Sequence, residues 1–279
     1  MKNKAVISLL GCGWLGFPLG LNLISRGFHV KGTTTGNDKL ALLKAEGIDS
    51  YLVQFDALKP DPDLNNFLNA DILIISVPPG RRNVNGPENY RRMAEILIRQ
   101  LVFSRISKLI FISSTSVYAD SNSMITESSE VSAETQPGNL IAEVETLFRS
   151  LPMKVIILRL AGLIGPGRAP GRFFAGKTSI PNGQSPVNLI HLDDVIRLIQ
   201  SLIENDQSQG VYNGCTPSHP TKEEFYTLAA KQAGLIPPEF LPEKITWKII
   251  GSERLGSELN FNFKFPSLMD WLRSEECIL

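Results

Sequence analysis

Val6-Ile7-Ser8-Leu9-Leu10-Gly11-Cys12-Gly13-Trp14-Leu15-Gly16 is the stretch on which the fold turns. The apolar run Ala5–Leu10 predicts a buried strand, and Leu15–Arg26 predicts a helix. Pro18 falls in that helix's first turn, where a missing N–H costs little. Between strand and helix stands the spacing G-x-G-x-x-G. The first glycine allows a tight turn, and the second lets a pyrophosphate approach the backbone. The third lets helix and strand pack closely, while the helix N-terminus offers oriented N–H donors to phosphate. In this strand–turn–helix context the spacing predicts dinucleotide binding through Gly11, Cys12, Gly13, Trp14, Leu15 and Gly16.

Two other readings of the same stretch fail. Lys2 and Lys4 precede an uncharged run, and Leu9-Leu10-Gly11-Cys12 spells a lipoprotein cleavage box. The apolar run, however, continues straight through the supposed cleavage point. As a membrane span it is broken by Gly11, Gly13, Gly16, Pro18 and Gly20.

Outward from the turn, apolar strands alternate with helical segments. His29–Thr34, Ser50–Gln54, Asp71–Val77, Lys108–Ser113 and Lys154–Ala161 read as strands. Asp38–Glu46, Asn89–Leu101 and Gly138–Ser150 read as helices. Strands buried on both faces and joined by crossover helices predict a doubly wound parallel sheet in the α/β class. From Gly162 the pattern loosens into the turn-rich Gly165-Pro166-Gly167, Pro170-Gly171 and Asn182-Gly183. Order returns with a helix at Asp194–Glu204, a strand at Val211–Asn213 and a helix at Thr221–Ala233. The expected division is a dinucleotide-binding domain of residues 1–165 plus 187–215. Residues 166–186 plus 216–279 would form a small C-terminal domain on the substrate side.

Composition limits the partners. Among 279 residues, 28 Lys plus Arg balance 28 Asp plus Glu, so no net field draws in nucleic acid or an anionic membrane. Three scattered cysteines, Cys12, Cys215 and Cys277, with no CxxC pair, argue against a disulfide framework or a metal site. They suit a reducing compartment, the cytoplasm.

Cofactor choice depends on the end of the second strand. An NAD site usually carries Asp or Glu about 20 residues beyond the glycines, accepting from the ribose 2′-hydroxyl. Here Lys31-Gly32-Thr33-Thr34-Thr35-Gly36 has no acid before Asp38. The three hydroxyls of Thr33, Thr34 and Thr35 would tolerate a 2′-phosphate, so NADP is expected ahead of NAD. Lys31 and Lys39 either assist that phosphate or are solvated surface lysines.

Taken together, these residues resemble the extended short-chain dehydrogenase/reductases, the NAD(P)-dependent epimerase/dehydratase family, and most closely its atypical members. The likeness covers nearly the whole chain. Beyond the glycine turn, it rests on Asp56-Ala57, on Val77-Pro78-Pro79-Gly80, and on Ile112-Ser113-Ser114-Thr115-Ser116-Val117-Tyr118. It continues through Leu158-Arg159-Leu160, Gly165-Pro166-Gly167-Arg168 and Asn188-Leu189-Ile190-His191-Leu192-Asp193-Asp194-Val195. The resemblance implies a Rossmann fold, a small oxygenated substrate (nucleotide sugars among the candidates) and a homodimer. It places Asp56, Ala57, Val77, Pro78, Pro79 and Ser113 along the cofactor, and makes Ser114 the serine that hydrogen-bonds the reacting oxygen.

The same resemblance implies a tyrosine base with a lysine four residues later. Residues four beyond Tyr51, Tyr90, Tyr118, Tyr212 and Tyr226 are Phe55, Ala94, Asn122, Thr216 and Ala230, so no Tyr-x-x-x-Lys exists. Aligning on Glu145 puts Pro137 at the tyrosine and Ile141 at the lysine. An unassisted tyrosine, with a pKa of about 10, is a poor base at neutral pH. Tyr118 and His191 are expected to support the fold, Asp193 and Asp194 to cap a helix, and Cys215 to be an inert buried thiol. Arg81, Arg82 and Arg168 either meet an anionic substrate or sit in exposed loops. Two functions stay open: an NAD(P)-linked oxidoreductase or epimerase whose acid–base group is unassigned, or a catalytically silent NADP(H) sensor or scaffold.

Overall fold

The computed structural model describes residues 4–56, 60–80 and 85–277. In chain order the elements are β1 (Val6–Leu10), α1 (Gly16–Ser25), β2 (His29–Thr34), α2 (Asn37–Ala45), β3 (Asp49–Leu52), α3 (Asn65–Leu68), β4 (Ile72–Ile75) and α4 (Gly86–Leu101). There follow β5 (Lys108–Ser114), β6 (Ser123–Ile125), α5 (Gln136–Arg149), β7 (Lys154–Leu160), β8 (Gly162–Ile164), β9 (Leu189–His191) and α6 (Leu192–Glu204). The chain ends with β10 (Gly210–Gly214), α7 (Lys222–Gln232), β11 (Lys248–Ile250), α8 (Glu253–Leu259) and α9 (Leu268–Arg273).

Seven strands form one sheet in the order β10-β7-β5-β4-β1-β2-β3. The ladders β3–β2, β2–β1, β1–β4 and β4–β5 are all parallel. Strand order reverses between β1 and β4, and in doubly wound sheets ligands bind outside the carboxyl ends of the strands at such a switch point. The predicted α/β doubly wound architecture is the one observed. Central strands read as unbroken apolar runs because helices cover both faces: all four residues of β4 are buried.

Chain packing separates two compact units. The first comprises Met1–Val117, Ala133–Leu158 and Gln207–Val211; the second comprises Tyr118–Ser132, Arg159–Asp206 and Tyr212–Leu279. The first unit carries the glycine turn. The second has its own apolar core of Ile164, Val187, Leu189, Phe225, Ala229, Phe265, Leu268, Trp271 and Leu272. It also has two short parallel pairs, β8–β9 and β11–β6. Four of its strands are three residues long, too short to show a period in sequence, and so went unpredicted. Among the described residues, no helix is long and apolar enough to cross a membrane.

A buried polar cluster organises the second unit. Arg159 Nη1 donates to the Tyr118 hydroxyl at 2.7 Å, and the guanidinium stands 4.8 Å from that ring's centroid. The hydroxyl in turn donates to Asn213 Oδ1 at 3.0 Å. Tyr118 is therefore a structural residue, as expected.

The helix-capping role expected of Asp193 and Asp194 needs correction. His191 caps α6, its Nδ1 accepting from the Asp193 N–H at 3.2 Å. Asp194, wholly buried, instead accepts the Lys264 and Phe265 backbone N–H groups at 2.5 and 3.1 Å and fastens the C-terminal segment. Lys264 adds a 3.0 Å ion pair to Asp193.

Burial holds the pKa values of His191 and His219 below the ordinary histidine value. The unfolded chain thus takes up protons near pH 6.5 that the folded chain refuses. Stability from these groups is complete above that pH and declines as pH falls through it. Between about pH 7.5 and 5.5, Tm is expected to fall, with each histidine contributing up to about 1.4 kcal/mol per pH unit. His219→Asn should flatten that slope in thermal melts; an unchanged slope would contradict the assignment.

Candidate functional site: the glycine turn and the strand ends of the first unit

The three glycines of the turn do three different physical jobs. Gly11 has φ +99°, the left-handed region that favours glycine. A Cβ at Gly16 would stand 2.0 Å from the Gly11 carbonyl oxygen, so α1 can pack on β1 only without a side chain there. A Cβ at Gly13 would meet nothing within 4 Å, and Gly13 is exposed. Glycine at that position answers no contact inside the protein. It leaves backbone open to something approaching from outside, as a bound pyrophosphate requires. The N-terminus of α1 carries no side-chain cap and no acid in its first turn, which suits an anion.

The turn is held by its neighbours. The Gly11 N–H donates to Thr33 Oγ1 and the Cys12 N–H to the Thr33 carbonyl, each at 2.9 Å. Ser76 Oγ donates to the Gly11 carbonyl at 2.7 Å. Leu15 is buried, and Trp14 is half-buried. Cys12 is buried too, its thiol pushed up to about 12 by desolvation, against a smaller opposing pull from the charge of Lys39. It is an inert thiol that packs the turn against Gly32.

At the end of β2 the structure redistributes the predicted roles. Thr33 and Thr34 are buried, and their hydroxyls serve the chain itself: Thr33 the Gly11 N–H, and Thr34 the Gly36 N–H at 3.3 Å. Lys31 is buried and donates through Nζ to the Asn66 and Asn69 carbonyls, so it is not available to a phosphate. The exposed residues are Thr35, Gly36, Asn37, Asp38 and Lys39. Lys39 lies near enough to the turn for its charge to act on Cys12. Of the three hydroxyls expected to tolerate a 2′-phosphate, only that of Thr35 lies on an exposed residue.

The remaining strand ends supply the rest of the site. Asp56, past β3, is half-buried. Val77 and Pro79 are half-buried and Pro78 exposed, immediately beyond β4, with Val77 Cγ2 2.9 Å from where a Gly11 Cβ would stand. Ala57, Arg81 and Arg82 lie outside the described residues. At the end of β5 the two serines diverge. Ser113 is buried and donates to Glu145 Oε1, so its hydroxyl is engaged inside the unit. Ser114 is half-buried and accepts the Ser116 N–H at 3.1 Å.

Pro137 sits in the first turn of α5, and Ile141, one turn on, is 4 % exposed. Neither can exchange a proton. Glu145, the next residue on that face, is buried, accepting from Ser113 and paired with Arg149 at 3.1 Å. In the second unit, Cys215 is fully buried with its thiol pushed up by desolvation and bonded to the Leu189 carbonyl. Arg168 is exposed at the tight turn Gly165–Arg168, whose ends bond at 2.9 Å. No group of three His, Cys, Asp or Glu among the described residues is placed to hold a metal.

No family model matches the chain. Protein YeeZ of Escherichia coli K12 is 40 % identical over 271 residues, covering 95 % of this chain and 97 % of YeeZ. Among solved structures, MoeE5 in complex with UDP-glucose and NAD superposes with a TM-score of 0.76 at 19 % identity, covering 97 % of each chain. Human epimerase family protein SDR39U1 (isoform 2) with NADPH gives a TM-score of 0.74 at 18 % identity, covering 98 % of this chain and 99 % of that one. These likenesses show a shared fold. The chain belongs to the family of protein YeeZ.

Proposed function

We propose that this protein is an NAD(P)-linked oxidoreductase of the epimerase/dehydratase type acting on a small oxygenated substrate, with nucleotide sugars the leading class. The observation that carries the reading is Gly13: its Cβ position is open and lies beside an uncapped helix N-terminus. The residues fit a dinucleotide. Gly11, Gly13 and Gly16 with the first turn of α1 would hold its pyrophosphate, and Asp56, Val77, Pro78 and Pro79 would lie along it. When bound, the dinucleotide supplies the hydride donor or acceptor. Ser114 would donate its proton to the reacting oxygen of the substrate, polarising it.

The proton-transfer group is a separate matter. With Pro137 and Ile141 at the usual dyad positions, the first unit offers no tyrosine–lysine pair. Losing a general acid–base group costs about 10² to 10⁴ in rate. That observation favours a second reading, a protein that binds NADP(H) and reports or scaffolds without turnover. The proton left on Ser114 favours the first. Rebuilding the dyad is a poor test, because Ile141→Lys would put an ammonium into a buried position.

Cofactor preference for NADP over NAD rests on the absence of a carboxylate on β2 and on Lys39 beside the turn. MoeE5 was solved with NAD and the human protein with NADPH, so relatives of this fold accommodate either.

A paired substitution tests dinucleotide binding. Gly13→Val should fold as the native chain does and lose cofactor affinity, since the new side chain occupies open space. Gly16→Ala should instead lose stability, because its Cβ meets a backbone oxygen. Calorimetry showing unchanged NADPH affinity in folded Gly13→Val would contradict the reading.

Lys39→Glu should weaken NADPH more than NADH by about 1 kcal/mol or more, the scale of a charge pair near a protein surface. Equal weakening of both would remove Lys39 from the phosphate site. In turnover assays on a panel of nucleotide sugars, aldehydes and ketones, Ser114→Ala should cost about 10² to 10³ in rate, by analogy with loss of an oxyanion donor. Its cofactor affinity should not change. A native protein that binds NADPH tightly and transfers no hydride across that panel would establish the silent reading.

A further inference from the structure

The second unit contains a cavity of about 230 Å³ that the proposed oxidoreductase chemistry does not use. It is lined by Gly165, Pro166, His191, Asp193, Phe265, Trp271 and Glu276. Three aromatic rings crowd it: His191 lies 4.5 Å from Phe265 and 5.2 Å from Trp271 between centroids. These walls call for a planar apolar body. The volume, below the roughly 300–1,000 Å³ of pockets for drug-sized ligands, limits that body to one ring with a small substituent.

The polar groups specify the substituent. His191 is 5 % exposed. Its Nδ1 accepts the Asp193 N–H at 3.2 Å, so in the neutral ring the proton sits on Nε2. Nε2 faces the Gly165 side, 3.3 Å from where a Cβ would stand there, and has no hydrogen-bond partner among the described residues. His191 lines the cavity, and an acceptor on a bound ligand would satisfy this donor. Trp271 brings a buried donor with no partner, its indole N–H.

Opposite in character are Asp193 and Glu276, which can only accept. Lys264 bridges the two, at 3.0 Å to Asp193 and 2.5 Å to Glu276, and neutralises one of the two charges. The rim keeps a net negative charge that disfavours an anion. The imidazole N–H, a donor, gives an ammonium nothing to bond. What satisfies both sides is a neutral group with an acceptor beside a donor.

We propose that this cavity is a binding site for a neutral single-ring carboxamide. The carbonyl oxygen accepts from His191 Nε2–H, the amide N–H groups donate to Asp193 and Glu276, and the ring lies among Phe265, Trp271 and Pro166. The site lies wholly within the second unit and does not depend on the dinucleotide reading.

Three isosteric probes separate this proposal from its rivals: benzamide, benzoate and benzylammonium. With the three histidines isotope-labelled, benzamide should shift the His191 Nε2–H resonance at millimolar concentration. Calorimetry should find benzoate and benzylammonium each weaker by about tenfold or more. His191→Phe keeps an aromatic ring and should abolish benzamide binding. Should that variant not fold, Glu276→Gln serves, its side chain being 57 % exposed. Removing that charge should raise benzoate affinity and narrow its gap from benzamide. Benzoate or benzylammonium binding as tightly as benzamide would overturn the proposal. So would millimolar benzamide that leaves His191 unshifted, or benzamide affinity unchanged in folded His191→Phe.

Discussion

A close backbone approach between Gly16 and Gly11 is the constraint on which the first unit's candidate site depends. Gly16 comes so near the Gly11 carbonyl that not even a methyl group fits between them. That approach fixes where α1 begins relative to the end of β1. Two side chains from neighbouring strands hold it: Thr33 on β2 takes the Gly11 N–H, and Ser76 beyond β4 donates to the Gly11 oxygen. Strands on both sides of the switch point are thus tied to one turn, and the open Gly13 backbone follows from it. In this arrangement the binding surface is backbone, so its shape is set by packing rather than by side-chain rotamers.

Much of this was legible in the sequence because the turn leaves few alternatives. A positive φ at Gly11 and a close approach at Gly16 favour glycine, and with the open Gly13 they write a spacing that is readable between a strand and a helix. The parallel strands were equally readable, since burial on both faces removes polar residues from them. Roles at the end of β2 were not readable in the same way. Lys31 and the threonines look available in a linear sequence, but β2 is an interior strand between β1 and β3, and its side chains are taken by neighbours. Asp194 misled for a different reason. Its position suggests a local cap, whereas its partners lie some 70 residues later in the chain, at Lys264 and Phe265. Three-residue strands such as β8 and β9 carry no period at all.

Pro137 sits in the first turn of α5 and Ile141 is buried in the core, and neither side chain can move a proton. In the proposed function the first unit would hold a dinucleotide at the glycine turn and polarise an oxygen at Ser114. Function on this fold is carried by such side chains and not by the sheet order, which many activities share.

The central claim is that the backbone of the glycine turn receives a dinucleotide pyrophosphate. Amide hydrogen exchange along residues 11–20, measured on the native protein with and without saturating NADPH, tests it most directly. The account predicts that NADPH slows exchange at Gly13 and in the first turn of α1, where N–H groups would be taken up by phosphate oxygens. Exchange at those amides unaltered by NADPH, with protection appearing elsewhere or nowhere, would contradict it.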